Sequence, residues 1–561
     1  MNELFRKKNV TQILNEVKKN ENGNHQLHKT LSLRDLTAMG IAAIIGAGIF
    51  STIGNASFTG GPAVILLFVF TAIACGFSAL SYAEFASSIP ISGSAYTYAY
   101  ASFGEIIAWI IGWALILEYG IGNIVVAISW SDYFTGLLAG LNIHIPDYLT
   151  MDYLSAKNGF EQANALITNH KELTFALTEQ WNAWQTAPQL FGIKLILDLP
   201  AVLVVIAITV LIYRGVHETK KASNIFVAIK LLVIVLVIVV GAFYVNPANW
   251  SPFMPNKMAG VLQGVSSVFF AYIGFDALAT TAEECKNPER DLPKSMIASL
   301  VICTVLYILI SLTLTGMISY KELAVGDPLA FVFQKLNVNW MSGIVAVSAV
   351  IAMASVLLVF QNGQPRIWMS MSRDGLLPKK FSKIHPKYKT PAFSTIITGG
   401  LVAIPALFLN LKEVTDLSSI GTLFAFVLVN AGVIQMETHR NTNHKGFRVP
   451  YISGKYIMPL LFLVCFFIFT VYDENKIFQH FNWTLNFPAY SFWFLFAIIA
   501  VLSFQFKFSL LPVLGMVTNF YLMTQLGKSN WIAFGCWLII GLFIYFLYSK
   551  KHSKLHTKTI E

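Results

Sequence analysis

Lys230 is the only charged residue in the apolar stretch from Phe226 to Tyr244. A charge at the centre of a membrane-crossing helix costs about 2.5–3.5 kcal/mol on insertion scales. A chain that keeps an ammonium there usually turns it into a cavity, where an amine can load and release a proton. The other reading is a lysine that reaches the interface or pairs permanently with a buried carboxylate such as Glu118. Glu118, in Ile116-Leu-Glu-Tyr-Gly120, is a second charge deep in an apolar run. It could bind substrate, relay protons or neutralise another group. Asp276 is expected to serve as a helix-end hydrogen-bonding group, and Glu84 to lie at a membrane interface.

Composition says that the solvent around these groups is lipid. Hydrophobic residues make up 55% of 561 and charged residues 12%, with 44 Phe. Ordinary soluble chains carry about 25% charged residues. The net charge of +10 does not indicate nucleic acid, because the basic residues fall in short clusters between apolar runs. The cysteines Cys75, Cys285, Cys303, Cys465 and Cys536 form no CxxC pair, so neither a disulfide framework nor a zinc site is indicated. HExxH, GxSxG and paired Cys/His ligands are absent, which argues against an enzyme and against a metal or organic cofactor. The first 35 residues are polar and lack the apolar core of a signal peptide.

Apolar runs long enough to cross a bilayer recur about fourteen times between 36 and 548. All are expected to be helices, since a lipid-exposed backbone must satisfy its own hydrogen bonds. Most of the 39 Lys and Arg then fall on one side, which places both termini in the cytoplasm of a multi-pass protein of the plasma (inner) membrane. Residues 3–18 read as an interfacial helix or a solvated tail. Residues 134–194 read as a long outside loop, and 364–392 as a basic inside loop.

The first run contains Gly40, Gly46 and Gly48, and the sixth contains Gly274. Each glycine weakens a helix by about 1 kcal/mol relative to alanine. Close helix packing through small residues explains some such spans. Interruptions at corresponding places in two halves are also the pattern of transporters with inverted repeats. There, free N–H groups of a half-helix hold a carboxylate and free carbonyls hold an ammonium. A small molecule carrying both groups close together is an α-amino acid.

With these residues in view, the chain resembles the amino acid–polyamine–organocation superfamily, and within it the cationic amino acid transporter family. The resemblance rests on Ile44-Ile-Gly-Ala-Gly-Ile-Phe50, Pro90-Ile-Ser-Gly-Ser-Ala-Tyr-Thr-Tyr98, Leu115-Ile-Leu-Glu-Tyr119 and Phe269-Phe-Ala-Tyr-Ile-Gly-Phe-Asp276. Glu283-Glu-Cys-Lys-Asn-Pro-Glu-Arg-Asp-Leu-Pro293 and Met371-Ser-Arg-Asp-Gly-Leu-Leu-Pro378 complete it. It covers nearly all of 31–440 and resumes at 509–553. It implies a LeuT-type fold of two inverted five-helix repeats working by alternating access. It places the substrate carboxylate at Gly46, Ala47 and Gly48, with Ile44 beside them, and the amino group at Phe270, Ala271 and Ile273. It assigns the aromatic that closes the site from outside to Phe275, and proton coupling to Lys230. The eighth run, with Val359, Phe360 and Gln361, is expected to meet the substrate side chain. Ala47 lacks the hydroxyl that some bacterial relatives carry, and 456–505 looks like an added hairpin.

The expected fold class is therefore an all-α integral membrane protein, a LeuT-type 5+5 inverted repeat with four additional C-terminal helices. The layout is a segment 1–35, a first repeat 36–244, a second repeat 245–440, four helices in 441–548 and a tail 549–561. The expected function is proton-coupled import of L-amino acids, with the proton as coupling ion, and with substrate and bilayer as partners; a small membrane partner is left unassigned. The alternatives are a proton-independent exchanger and an amino acid sensor that does not transport. Glu118 is the one clear candidate to meet a cationic side chain, and the reading leans to neutral or broad substrates.

Overall fold

The computed structural model describes residues 5–7, 31–88, 94–170, 172–215, 220–438, 446–472 and 483–555. Nearly all of the candidate interfacial helix at 3–18 lies outside them. In chain order the helices are α1 (Leu33–Ile44), α2 (Ile53–Gly60), α3 (Val64–Ser88), α4 (Ser94–Ser102) and α5 (Glu105–Gly140). Then come α6 (Tyr153–Thr168), α7 (Phe175–Thr186), a hairpin of β1 (Gln189–Leu190) and β2 (Ile193–Lys194), α8 (Leu199–Tyr213) and α9 (Lys220–Ala242). Next are α10 (Lys257–Gln263), α11 (Val265–Phe270), α12 (Pro288–Met317), α13 (Pro328–Lys335), α14 (Asn339–Arg373), α15 (Ala392–Ala406) and α16 (Leu411–Thr438). The chain ends in α17 (Ile457–Tyr472), α18 (Trp483–Phe506), α19 (Leu510–Thr524) and α20 (Lys528–Ile544).

Among the described residues, eight helices are long and apolar enough to cross a membrane, or nine if the pair α10–α11 counts as one bent span. Four more apolar helices, α8, α15, α17 and α19, are shorter. The count is lower than the number of apolar runs because these four fall short in length and because the first run is split. Among the described residues the protein is all-helical apart from one two-stranded hairpin, as a chain in lipid is expected to be.

The ends of the bundle are fixed by polar locks. At one end the buried Glu105 carboxylate accepts from Tyr100 Oη (3.1 Å), Tyr545 Oη (3.0 Å) and Ser553 Oγ (2.5 Å). The Glu105 N–H donates to Arg6 O at 3.0 Å. Both described ends of the chain therefore meet here, at what we term the termini face. Residues 141–198 lie at the opposite end of α5, the loop face. The stretch expected as a plain loop folds there into α6, α7 and the hairpin. Asp152 and Thr174 cap the two helices through Ser155 N and Leu177 N. Ala156, Ala183, Ala187 and Ile196 form a small core of their own.

Polar and aromatic contacts join the C-terminal helices to the rest. Trp113 Nε1 donates to Trp537 O (2.8 Å) and Trp537 Nε1 donates back to Trp113 O (3.0 Å), with the rings stacked at 4.6 Å. Asn430 on α16 accepts from Ser81 Oγ (2.7 Å) and donates to Ser78 Oγ (2.8 Å), while Asn519 on α19 donates to the same Ser78 Oγ (2.7 Å). Glu84, expected at an interface, is buried instead and accepts from Val449 N at 2.8 Å. That donor comes from the described stretch just before α17. Replacing Asn430 by Leu removes the acceptor of the buried Ser81 hydroxyl and one of the two donors to Ser78, and is expected to cost about 1–2 kcal/mol. A lower midpoint of thermal unfolding in detergent checks this; an unchanged midpoint would show that the cluster holds nothing together.

Candidate functional site

The site grows from the place where α1 stops. Ile45 takes an extended conformation (φ −79°, ψ 94°), and Gly46 and Ala47 lead into a π-helical turn, Gly48–Thr52. A helix end leaves backbone groups without intrahelical partners, and in lipid each must be met from elsewhere. Lys230 on α9 is almost fully buried, and its Nζ donates to Ala42 O and Ile45 O, both at 3.4 Å. The Tyr307 hydroxyl on α12 lies 3.0 Å from Ile44 O and 2.8 Å from Ala271 O, so one hydroxyl bridges the carbonyls of the two interrupted segments. Thr52 Oγ1 similarly lies 2.9 Å from Gly48 O and 3.0 Å from Ser267 O.

The second interruption follows α11. The segment bends by 43° at Gly264 between α10 and α11. It then passes through Ala271 to Gly274, whose φ of +120° favours glycine, and re-forms as a 3₁₀ run, Phe275–Glu284. Asp276 acts as the expected helix-end group, accepting from Gly274 N at 3.3 Å. The two interruptions touch: a Cβ on Gly48 would lie 2.4 Å from Ala271 Cα.

Around this contact is a small cavity lined by Ile44, Gly46, Ala47, Gly48, Glu118, Phe270 and Ile273, with Ala43, Gly122, Val126, Val356 and Phe360 completing it. Seven of the sequence-based binding candidates are thus brought to one place. Ala271 backs the wall through Gly48. Phe275 is elsewhere: it is fully buried, 6.1 Å from Tyr82 and 5.2 Å from Phe426 between ring centroids. It follows the interruption and does not border the cavity in this structure. Phe270 is the aromatic of this segment that borders the cavity. Lys230 lies behind the first interruption and reaches the cavity through its backbone.

Glu118 contributes a carboxylate with Oε2 buried and without a hydrogen-bond partner. On the eighth apolar run, Val356 and Phe360 share the cavity face at helical spacing. Val359 points outward with 42% of its surface exposed, and Gln361 donates to Thr209 Oγ1. Toward the loop face, Tyr133 Oη donates to Phe50 O at 2.6 Å. Nearby Asp327, at the head of α13, is pushed up to about 7 by burial. Sequence reasoning missed Tyr307, Tyr133 and Thr52. Their one signal is a hydroxyl in the middle of an apolar run.

A multi-pass helical protein with two interrupted segments around a small central cavity is a membrane transporter. The chain matches the amino acid permease family model over residues 31–473 and a C-terminal amino acid permease model over 509–553. It is 39% identical over 557 residues to the branched-chain amino acid permease BcaP of Bacillus subtilis (strain 168), covering 99% of each chain. It is 37% identical over 558 residues to the methylthioribose transporter of the same organism, covering 99% of this chain and 100% of that one. It is 35% identical over 444 residues to the vacuolar cationic amino acid transporter 4 of Arabidopsis thaliana, covering 78% of this chain and 67% of that one. The chain belongs to the amino acid permeases of the amino acid–polyamine–organocation superfamily, close to the cationic amino acid transporters.

The Gly48 contact gives a direct check. A Gly48→Ala protein must push α11 away from the first interruption. Uptake of its amino acid substrate in proteoliposomes is expected to fall at least about tenfold, the scale of 1.4 kcal/mol, while the protein still elutes as a folded species from a sizing column. Uptake at the unsubstituted rate would show that the two interruptions need not touch.

Proposed function

We propose that the protein is a proton-coupled symporter that moves neutral L-amino acids, aliphatic ones above all, to the side of its termini. The observation that carries this reading is the Lys230 ammonium held on the carbonyls of the first interruption. Protonated, it is a cation beside partial negative charges and stabilises that backbone shape. Deprotonated, it loses the charge and one donor, and the interruption is free to rearrange. A proton and the substrate thus act on one piece of backbone.

The substrate's carboxylate would sit at the amides of Gly46, Ala47 and Gly48, where a half-helix presents its positive end. Its ammonium would face the carbonyls near Phe270, Ala271 and Ile273. Its side chain would then reach Gly122, Val126, Val356 and Phe360, all apolar or side-chain-free. Burying a cationic side chain among them would leave Glu118 as its partner at the cavity wall. The branched-chain permease among the relatives supports the neutral reading; the cationic transporters do not by themselves argue for cations here.

The architecture we propose is the inverted pair of five-helix repeats, with about fourteen spans in all. It is supported by the meeting of the first and sixth interrupted segments. The weight of Lys and Arg in segments at the termini face supports a cytoplasmic location for that face. The Lys230 contact also fits a second reading, a proton-independent exchanger in which the ammonium is a fixed cation.

Uptake of labelled leucine into proteoliposomes separates the two. With an inward proton gradient, the unsubstituted protein is expected to accumulate leucine severalfold above equilibrium. A folded Lys230→Met protein is expected to retain exchange and lose accumulation. Accumulation that survives the substitution would remove Lys230 from coupling, and counterflow without net uptake in the unsubstituted protein would select the exchanger.

A further inference from the structure

Helices α8 and α15 are 15 residues each, about 22 Å long. They pack side by side and are flush at both ends. Thr390 Oγ1 donates to Tyr213 O at 2.9 Å at the termini face, and Asp198 N donates to Leu407 O at 3.4 Å at the loop face. Arg214 and Lys389 mark the polar boundary at the termini end. Hydrocarbon about 30 Å thick therefore extends past the other end of both helices by several ångströms.

The segment that leads into α8 at that end is the β1–β2 hairpin. Its two-residue turn is Phe191-Gly192, with φ of +51° and +81°. Such turns favour Asn or Asp in the first place, because a bulky residue at positive φ is strained. Phe191 is therefore not explained by the turn, and it is 97% exposed. Leu190, Ile193 and Leu195 are exposed beside it. The one charge of the hairpin is turned away: Lys194 Nζ donates to Trp184 O and lies 5.2 Å from the Trp184 ring centre. The hairpin leads within a few residues into α8, where Leu199, Leu203, Ile206 and Val210 are exposed at helical spacing as an outward apolar stripe.

We propose that the hairpin is a membrane anchor. Its tip, Leu190 to Ile193, enters the bilayer at the loop face and supplies the apolar length that α8 and α15 lack. It thereby seats the α6–α7 cap on the lipid. Leu195 N–H bonded to Pro188 O and Leu197 N–H bonded to Tyr148 O, both at 2.9 Å, tie the hairpin to that cap. The cap in turn reaches α13 through Phe175 and Phe331, whose rings are 5.9 Å apart. The occupant of this apolar surface is lipid, because the hairpin leads directly into a helix with an exposed apolar stripe that is too short to cross the bilayer alone.

The test places a nitroxide at residue 191 of the full chain, as Phe191→Cys with Cys465 and Cys536 changed to Ser, in vesicles of phosphatidylcholine and phosphatidylglycerol. Collisions with oxygen, which concentrates in lipid, are compared with collisions with a water-soluble nickel chelate. The label is expected to favour oxygen severalfold, as a label at Leu203→Cys does, whereas one at Lys157→Cys on the cap favours nickel. A Phe191→Asn change, which suits the turn better, is expected to shift a label at Ile193→Cys toward nickel. Nickel preference at 191 would overturn the proposal in favour of a thinned bilayer over the short helices. Protection from both reagents would overturn it in favour of contact with a second copy of the chain.

Discussion

Backbone groups that a helix releases in lipid have to be met by something, and that requirement organises the centre of this protein. At the first interruption the released carbonyls are met by Lys230 and Tyr307. At the second, Ala271 O is met by the same Tyr307 and Gly274 N by Asp276. Apart from Asp276, the partners come from α9 and α12, so two helices that do not line the cavity help decide how its backbone is shaped. An unsatisfied peptide group in hydrocarbon costs several kcal/mol. Any movement of the interruptions therefore has to exchange these partners rather than lose them.

In the proposed symport, that exchange is where ligand and proton would acquire leverage. A ligand shifts an equilibrium only by the difference in its affinity for the two states. In that scheme, an amino acid taken by the amides of Gly46 to Gly48 and the Lys230 ammonium on the carbonyls of Ala42 and Ile45 would act on the same few residues. Coupling then needs no long pathway through the protein. The surrounding frame is correspondingly stiff: the Trp113–Trp537 pair, the Ser78–Asn430–Asn519 cluster and the Glu105 lock hold α3, α5, α16, α19 and α20 in register.

The sequence exposes this centre because the exceptions to lipid solubility are few. A lone lysine in an apolar run and glycines in two apolar runs pointed to Lys230, Gly46, Gly48 and Gly274, and the structure places them together. Glu118 was visible for the same reason. Tyr307 was not, since a tyrosine in an apolar helix is ordinary and its partners lie 263 and 36 residues away. Phe275 and Phe270 differ by less than two turns, and the interruption at Ala271 to Gly274 falls between them, so that Phe270 borders the cavity and Phe275 does not. Val359 and Phe360 are neighbours in sequence, and helix rotation alone separates lipid from cavity. The cap at 141–198 hid in a polar stretch whose helix signals were two capping residues, Asp152 and Thr174.

The central claim is that a proton travels with the substrate, and movement of that proton is its most direct test. Liposomes containing the purified protein and a pH-sensitive dye in the lumen would be given external leucine with no proton gradient imposed. The account expects leucine entry to acidify the lumen. Leucine entry with no change in luminal pH would contradict it and leave Lys230 as a structural cation.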